Sequence, residues 1–174
     1  MFEQIKYLVL DVDGTMTDAG IYYDNTGNEI KKFCTRDGIG FMAARRAGIK
    51  LIVLTGRESL ATTRRMQEMK IDYLYQKVGN KKEFLAGLMA EMNIAKESLG
   101  YIGDDINDYS AMSLAAFVGC PKDSCEQVKS IASYISDVCG GAGVVRDVVE
   151  YLLKQRGEWD SVICDMYGAY GAGI

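Results

Sequence analysis

The amino-acid sequence predicts an α/β fold, with one open parallel sheet covered by helices on both faces and wound with right-handed crossovers. Two observations lead there. Short apolar runs containing β-branched or aromatic residues alternate with longer stretches of helical spacing, from the first residues to about Lys154. Three of these apolar runs end in polar clusters, Asp11/Asp13, Thr55/Gly56 and Asp104/Asp105/Asp108. The carboxyl ends of strands are where open α/β sheets bind ligands, so one shared site is expected. The 174 residues, 48% of them hydrophobic and 25% charged, suit one soluble domain with a substantial core.

The first strand is Tyr7 to Leu10, which runs into Asp11-Val12-Asp13-Gly14-Thr15. Ile21-Tyr22-Tyr23 and Glu29 to Phe33 flank the turn formers Asp24-Asn25-Thr26-Gly27-Asn28, predicting a small β-hairpin flap beside the paired aspartates. Arg36-Asp37-Gly38 then leads into a helix from Ile39 to Ala47 that stops at Gly48. Ile49 to Leu54 is the second sheet strand, Ser59 to Met69 a helix, and Ile71 to Tyr75 the third strand. Lys81 to Met92 is amphipathic, with Asn80 as its cap. Leu99 to Gly103 gives a fourth strand, followed by the acidic cluster and a helix to about Leu114. Ala116 to Gly119 is a fifth, limited by Pro121. A short helix over Ser124 to Ser130, a short strand at Tyr134-Ile135, the loop Gly140-Gly141-Ala142-Gly143 and a last helix from Val144 to Lys154 complete a Rossmann-like domain over residues 1–156. Residues 157–174 read as a glycine-rich tail.

Composition excludes several function classes. A net charge of −4 and a pI near 4.9 argue against a nucleic-acid binder, which needs a basic face. No apolar run approaches the length of a membrane span and the first residues lack a basic-then-apolar leader, so a cytoplasmic location is expected. The five cysteines form no Cys-X-X-Cys pair and the chain has no histidine, which argues against zinc. Any general acid or base must therefore be a carboxylate, lysine, tyrosine or cysteine.

Asp11 and Asp13, two apart on an extended backbone, would project to the same side, where their like charges call for a cation or a proton. A solvated turn is the plain alternative. A calcium loop is excluded, because Met16 and Tyr22 stand where that loop needs glycine and glutamate. Asp11, Asp13 and the Asp104 to Asp108 group together offer only hard oxygen ligands, which suit magnesium. Lys81 would add a fixed positive charge. Singly, Thr55 and Lys81 read equally as capping or solvated residues, Arg36 and Arg57 as solvated ones, and Asp105 as a helix N-terminal charge.

Taken in order and spacing, these residues resemble the four motifs of the haloacid dehalogenase superfamily over nearly the whole chain: Asp11-Val12-Asp13-Gly14-Thr15, Thr55-Gly56, Lys81, and Gly103-Asp104-Asp105-Ile106-Asn107-Asp108. The resemblance implies a phosphomonoester hydrolase in which Asp11 attacks phosphorus and Asp13 protonates the leaving oxygen, then activates water. Thr55, Lys81 and backbone N–H groups would hold the phosphoryl oxygens. Magnesium would be held by Asp11, Asp104 and the Asp13 carbonyl, with Asp105 and Asp108 behind them.

The short spans between motifs leave no room for a cap domain. The pattern is similar to capless phosphatases acting on eight- and nine-carbon 2-keto-3-deoxy sugar acids, through Asp13 to Asp18, Tyr22 to Lys32, Arg36-Asp37-Gly38, Thr55-Gly56-Arg57 and Gly140 to Arg146. That similarity implies a 3-deoxy-D-manno-octulosonate 8-phosphate substrate, a role in lipopolysaccharide biosynthesis, and substrate contacts from Asp13, Arg36, Thr55, Gly56, Arg57 and Lys81. It also implies a homotetramer whose neighbouring subunits complete the site. Tyr167 and Tyr170 would then fold over a neighbour's site, the alternative for the tail being disorder. Ala142 departs from the pattern: relatives often carry arginine there in octulosonate phosphatases and glutamate in nonulosonate ones. A nonulosonate or N-acylneuraminate 9-phosphate is thus the neighbouring alternative. From other classes come a phosphotransferase or mutase and a non-catalytic oligomerisation domain for a sugar-acid cytidylyltransferase.

Overall fold

The computed structural model describes residues 2–168. Strand β1 (Tyr7–Leu10) lies near the middle of a six-stranded sheet with β4 (Lys50–Leu54) and β5 (Tyr73–Tyr75) on one side. On its other side lie β6 (Leu99–Ile102), β7 (Phe117–Cys120) and β8 (Tyr134–Ile135). The order is β5-β4-β1-β6-β7-β8 and every pairing is parallel. The chain builds outward from β1 to β4 and β5, then crosses back to β6. The crevice at the carboxyl end of β1 is therefore the topological switch point.

Period-two alternation divides the core between the two faces. Leu8, Leu10, Leu51, Val53, Ile102 and Phe117 pack toward α1 (Asp37–Arg46), α6 (Val144–Gln155) and α7 (Trp159–Tyr167), with Met66 of α2 (Leu60–Glu68) joining them. Val9, Ile52, Leu54, Tyr101 and Val118 face α3 (Lys81–Glu91), α4 (Ile106–Met112) and α5 (Glu126–Ile131). Each β1 residue is thus covered on one face or the other, as its unbroken apolar run requires.

The helix ends are set locally. Ser59 accepts the Thr62 N–H at 3.1 Å to start α2, and Asn80 accepts the Glu83 N–H at 3.2 Å to start α3, which makes Lys81 the first helical residue. The N-terminus of α6 has no cap of its own: Gly143 stands before it at φ +110°, and the Arg146 N–H is taken by Asp37 at 3.0 Å. The buried Asp37 carboxyl is pushed up to about 6 by desolvation, against the backbone hydrogen bonds it accepts.

The hairpin is present, with β2 (Tyr22–Tyr23) antiparallel to β3 (Glu29–Ile30). Asp24 gathers the Thr26 and Asn28 N–H groups at its tip, and a bridge between Thr17 and Phe33 pins its base to the turn after β1. The structure departs from the sequence-based expectation after Arg156. The last helix there is not α6: residues 159–167 form α7, whose Trp159, Val162 and Ile163 are buried in the core. Those residues recur at helical spacing and cover α1 and α6, so burial outweighs the glycine-rich character of the neighbouring 168–173 segment. Tyr167 is the last residue of α7, and Tyr170, the other half of the expected tail contact, lies outside the described residues.

Candidate active site

The turn after β1 is built to bring a carboxylate from another strand against it. Gly14 adopts φ +95°, and a Cβ on it would fall 2.1 Å from an Asp104 carboxylate oxygen. Only glycine fits there. Thr15 donates its hydroxyl to Asp104 Oδ1 at 3.2 Å, and the loop before α6 closes the far side, with Gly140 against the Gly14 carbonyl.

Carboxylate oxygens of Asp11, Asp104 and Asp108 lie within 4.8 Å of one another. Lys81, brought over by its place at the start of α3, bridges Asp11 Oδ1 at 2.5 Å and Asp108 Oδ1 at 2.6 Å, and all three side chains are buried. The Tyr101 hydroxyl, rising from β6, donates to the same Asp108 oxygen at 2.7 Å. Burial first, and the neighbouring Asp108 charge second, hold the Asp11 carboxyl well above its ordinary range and Asp104 at about 7. Burial works against the Lys81 ammonium, but the Asp11 and Asp108 charges outweigh it and raise its pKa. Tyr101 is pushed up by burial and by Asp108.

Fully ionised, such a cluster would carry more negative charge than one lysine can balance. Its donors are all carboxylate oxygens in a chain without histidine, and two of them resist ionisation. That fits a hard divalent cation such as magnesium.

Thr55 is buried directly after β4, held by its N–H to the Tyr75 carbonyl and by its carbonyl to the Val78 N–H. Its hydroxyl accepts the Arg57 N–H at 3.4 Å and keeps its own hydrogen to donate. Gly56 is exposed beside it. Asp13 is not part of the carboxylate triplet: its Oδ1 contacts the Lys31 ammonium. Lys31 also meets Glu29 Oε1 at 2.6 Å, and Glu29 Oε2 meets Arg57 at 2.6 Å. Asp105 is exposed and accepts the Ile106 N–H at 2.8 Å, serving the N-terminus of α4. Arg36 is exposed near Gly143, without an ion-pair partner among the described residues.

Residues 59–146 match the model of the haloacid dehalogenase-like hydrolase family. The 3-deoxy-D-manno-octulosonate 8-phosphate phosphatase of Escherichia coli K12 is 35% identical over 158 residues, 91% of this chain and 84% of that protein. The chain belongs to the haloacid dehalogenase-like hydrolases. Within that family, the crystal structure of 3-deoxy-D-manno-octulosonate 8-phosphate phosphatase from Moraxella catarrhalis, in complex with magnesium, phosphate and KDO, superposes with a TM-score of 0.90. It is 36% identical, over 95% of each chain. The cobalt-bound deoxy-D-mannose-octulosonate 8-phosphate phosphatase of Haemophilus influenzae has a TM-score of 0.85 at 31% identity, covering 91% of this chain and 93% of that one.

Three polar residues of this haloacid dehalogenase-like site are given no role of their own by the sequence pattern. Thr15 stands inside the first motif without a role. Tyr101 reads as a core aromatic in an apolar strand, and Lys31 as one of two adjacent hairpin lysines. Only the alternation of Glu29, Ile30 and Lys31 hints that Glu29 and Lys31 share a face.

Proposed function

We propose that the chain is a magnesium-dependent phosphatase hydrolysing 3-deoxy-D-manno-octulosonate 8-phosphate, or a close 2-keto-3-deoxy sugar acid phosphate, through an aspartyl-phosphate on Asp11. The observation that carries it is the buried Lys81 bridging Asp11 and Asp108, with Asp104 beside them at the switch point of the sheet. The similarity to phosphatases named for that substrate supports the choice of sugar acid.

In this reading an Asp11 oxygen attacks phosphorus as the bond to the sugar oxygen breaks, and Asp13 delivers a proton to that oxygen. Asp13 then takes a proton from water as the water attacks the phosphoryl group and releases it from Asp11. Lys81, the Thr55 hydroxyl and the Gly56 N–H hold the phosphoryl oxygens, whose charge builds in both steps. Asp11, Asp104 and the Asp13 carbonyl would hold magnesium, with Asp108 steadying them, and the ion when bound neutralises phosphoryl charge. Asp105 then acts only on its own helix. Arg57 and Arg36 are left for the sugar acid carboxylate, Arg57 sharing itself with Glu29.

The domain in this reading runs to the end of α7. It works in the cytoplasm; none of the described helices is long and apolar enough to cross a membrane. A homotetramer would complete the capless site, and the exposed Ile21, Tyr22, Tyr23 and Ile30 of the hairpin, which rises beside it, offer one apolar surface for that contact. The test is phosphate release, with and without magnesium, from octulosonate 8-phosphate, nonulosonate and N-acetylneuraminate 9-phosphates, and hexose phosphates. Magnesium-dependent preference for the octulosonate ester is expected. Preference for a nine-carbon ester would move the substrate, and no release from any would favour the assembly role.

A further inference from the structure

Asp13 projects from the turn beyond β1, where no backbone ladder fixes it. Its carboxylate has one partner among the described residues, the ammonium of Lys31, and that contact takes only Oδ1. The Lys31 side chain is 1% exposed although it is borne on a hairpin whose outer residues are open to water. An ammonium stays buried only when its charge is matched, and two carboxylates match it here: Asp13 on the β1 side and Glu29 Oε1 on the hairpin side, at 2.6 Å. Glu29 is itself tied through Oε2 to Arg57 at 2.6 Å, on the loop after β4. Arg57 first and Lys31 after it lower the Glu29 pKa, so Glu29 is ionised and holds both cations. The chain Asp13–Lys31–Glu29–Arg57 thus joins the turn after β1, the hairpin and the loop after β4.

Resting on the reading of Asp13 as the proton donor and acceptor, we propose that Lys31 is a positioning residue for the leaving-group step. Its ammonium, anchored by Glu29, pins Asp13 Oδ1 and leaves Oδ2 as the oxygen that serves the substrate. In the first half-reaction the proton on Oδ2 passes to the sugar oxygen while that oxygen's bond to phosphorus breaks and the Asp11 oxygen bonds to phosphorus. In the second, Oδ2 takes a proton from water as the water oxygen bonds to phosphorus and the Asp11 bond breaks. Oδ1 stays with Lys31 throughout. The hairpin flap is therefore part of the catalytic apparatus through one side chain.

The discriminating experiment varies the leaving group. A sugar alkoxide needs a proton as it departs, whereas p-nitrophenolate does not. Water attack on the phosphorylated Asp11 is common to both esters, so the readout is kcat/KM, which reports the leaving-group step. With magnesium present, Lys31→Met should lower it on octulosonate 8-phosphate by roughly a hundredfold, and on p-nitrophenyl phosphate by at least about tenfold less. Asp13→Asn should show the same selectivity, and adding Lys31→Met to it should cost the sugar ester little more. Equal losses on both esters would overturn the positioning role while leaving the phosphatase reading intact. If circular dichroism melting shows Lys31→Met to be unfolded, Glu29→Gln, which frees Lys31 from its anchor, takes its place. It should show the same selectivity in smaller measure, and equal losses on the two esters would again overturn the role. Wild-type protein inactive on both esters would instead overturn the reading on which the inference rests.

Discussion

Asp11, Lys81, Asp108 and Tyr101 form one buried chain of hydrogen bonds, and each link makes a separate prediction. Asp11→Asn should reduce phosphate release by at least about a thousandfold, because an amide cannot replace the nucleophile. Its melting temperature should hold or rise without metal, since burial and Asp108 disfavour the Asp11 charge. Activity surviving in that variant would remove Asp11 from its role. Tyr101→Phe keeps the ring packing and deletes one donor to Asp108, so denaturant titration should show a loss of about 2 kcal/mol. A variant as stable as the wild type would mean the hydroxyl contributes nothing. Asp104, held at about 7, adds a pH dependence. Its folded pKa lies above its unfolded value, so the metal-free fold loses stability as pH climbs from about 4 through 7, and a cation binding the ionised carboxylate offsets that loss. Magnesium should therefore raise the melting temperature by several degrees near pH 8 and much less near pH 5.5. A thermal shift independent of pH would contradict the assignment of the cluster to the cation.

Helix α7 and the hairpin show how an element can lie outside the pattern that defines the fold and still complete it. Trp159, Val162, Ile163 and Met166 follow helical spacing and pack on the main core. That spacing is a helix signal in the sequence, but the nearby glycines of residues 168–173 favour reading the segment as a tail. Truncation after Arg156 exposes the core these side chains cover, at a cost on the order of 5 kcal/mol, and should lower the melting temperature sharply. If that truncation melts like the full chain, α7 contributes no stability. The hairpin is legible from its turn residues, yet its two-residue strands are too short to stand alone, and the Thr17–Phe33 bridge and the Lys31 contacts tie it to the domain.

At the scale of the whole molecule, no cap stands over the site among the described residues, and in the proposed reading a neighbouring copy covers it through the exposed apolar face of the hairpin. Ile21 and Ile30 are both about half exposed. The double substitution Ile21→Asp and Ile30→Asp should therefore spare the monomer fold and shift sedimentation toward a smaller species, with activity falling if neighbours complete the site. Unchanged sedimentation would place the contact elsewhere. The local pattern of residues sets the alternation of elements, the parallel sheet, and which strands end in polar residues, because periodicity and turn chemistry are local properties. It also placed Asp11, Thr55, Lys81 and Asp104 at one edge, since strand ends in such a sheet converge. Which neighbouring acids face one another is settled by packing instead. Asp105 turns to cap its own helix while Asp108, almost one turn later, faces inward to Lys81 and Tyr101. Likewise, Lys31 reaches Asp13 only because the hairpin folds back over the turn after β1. Contacts between residues distant in the chain depend on how elements pack, and no local pattern encodes them.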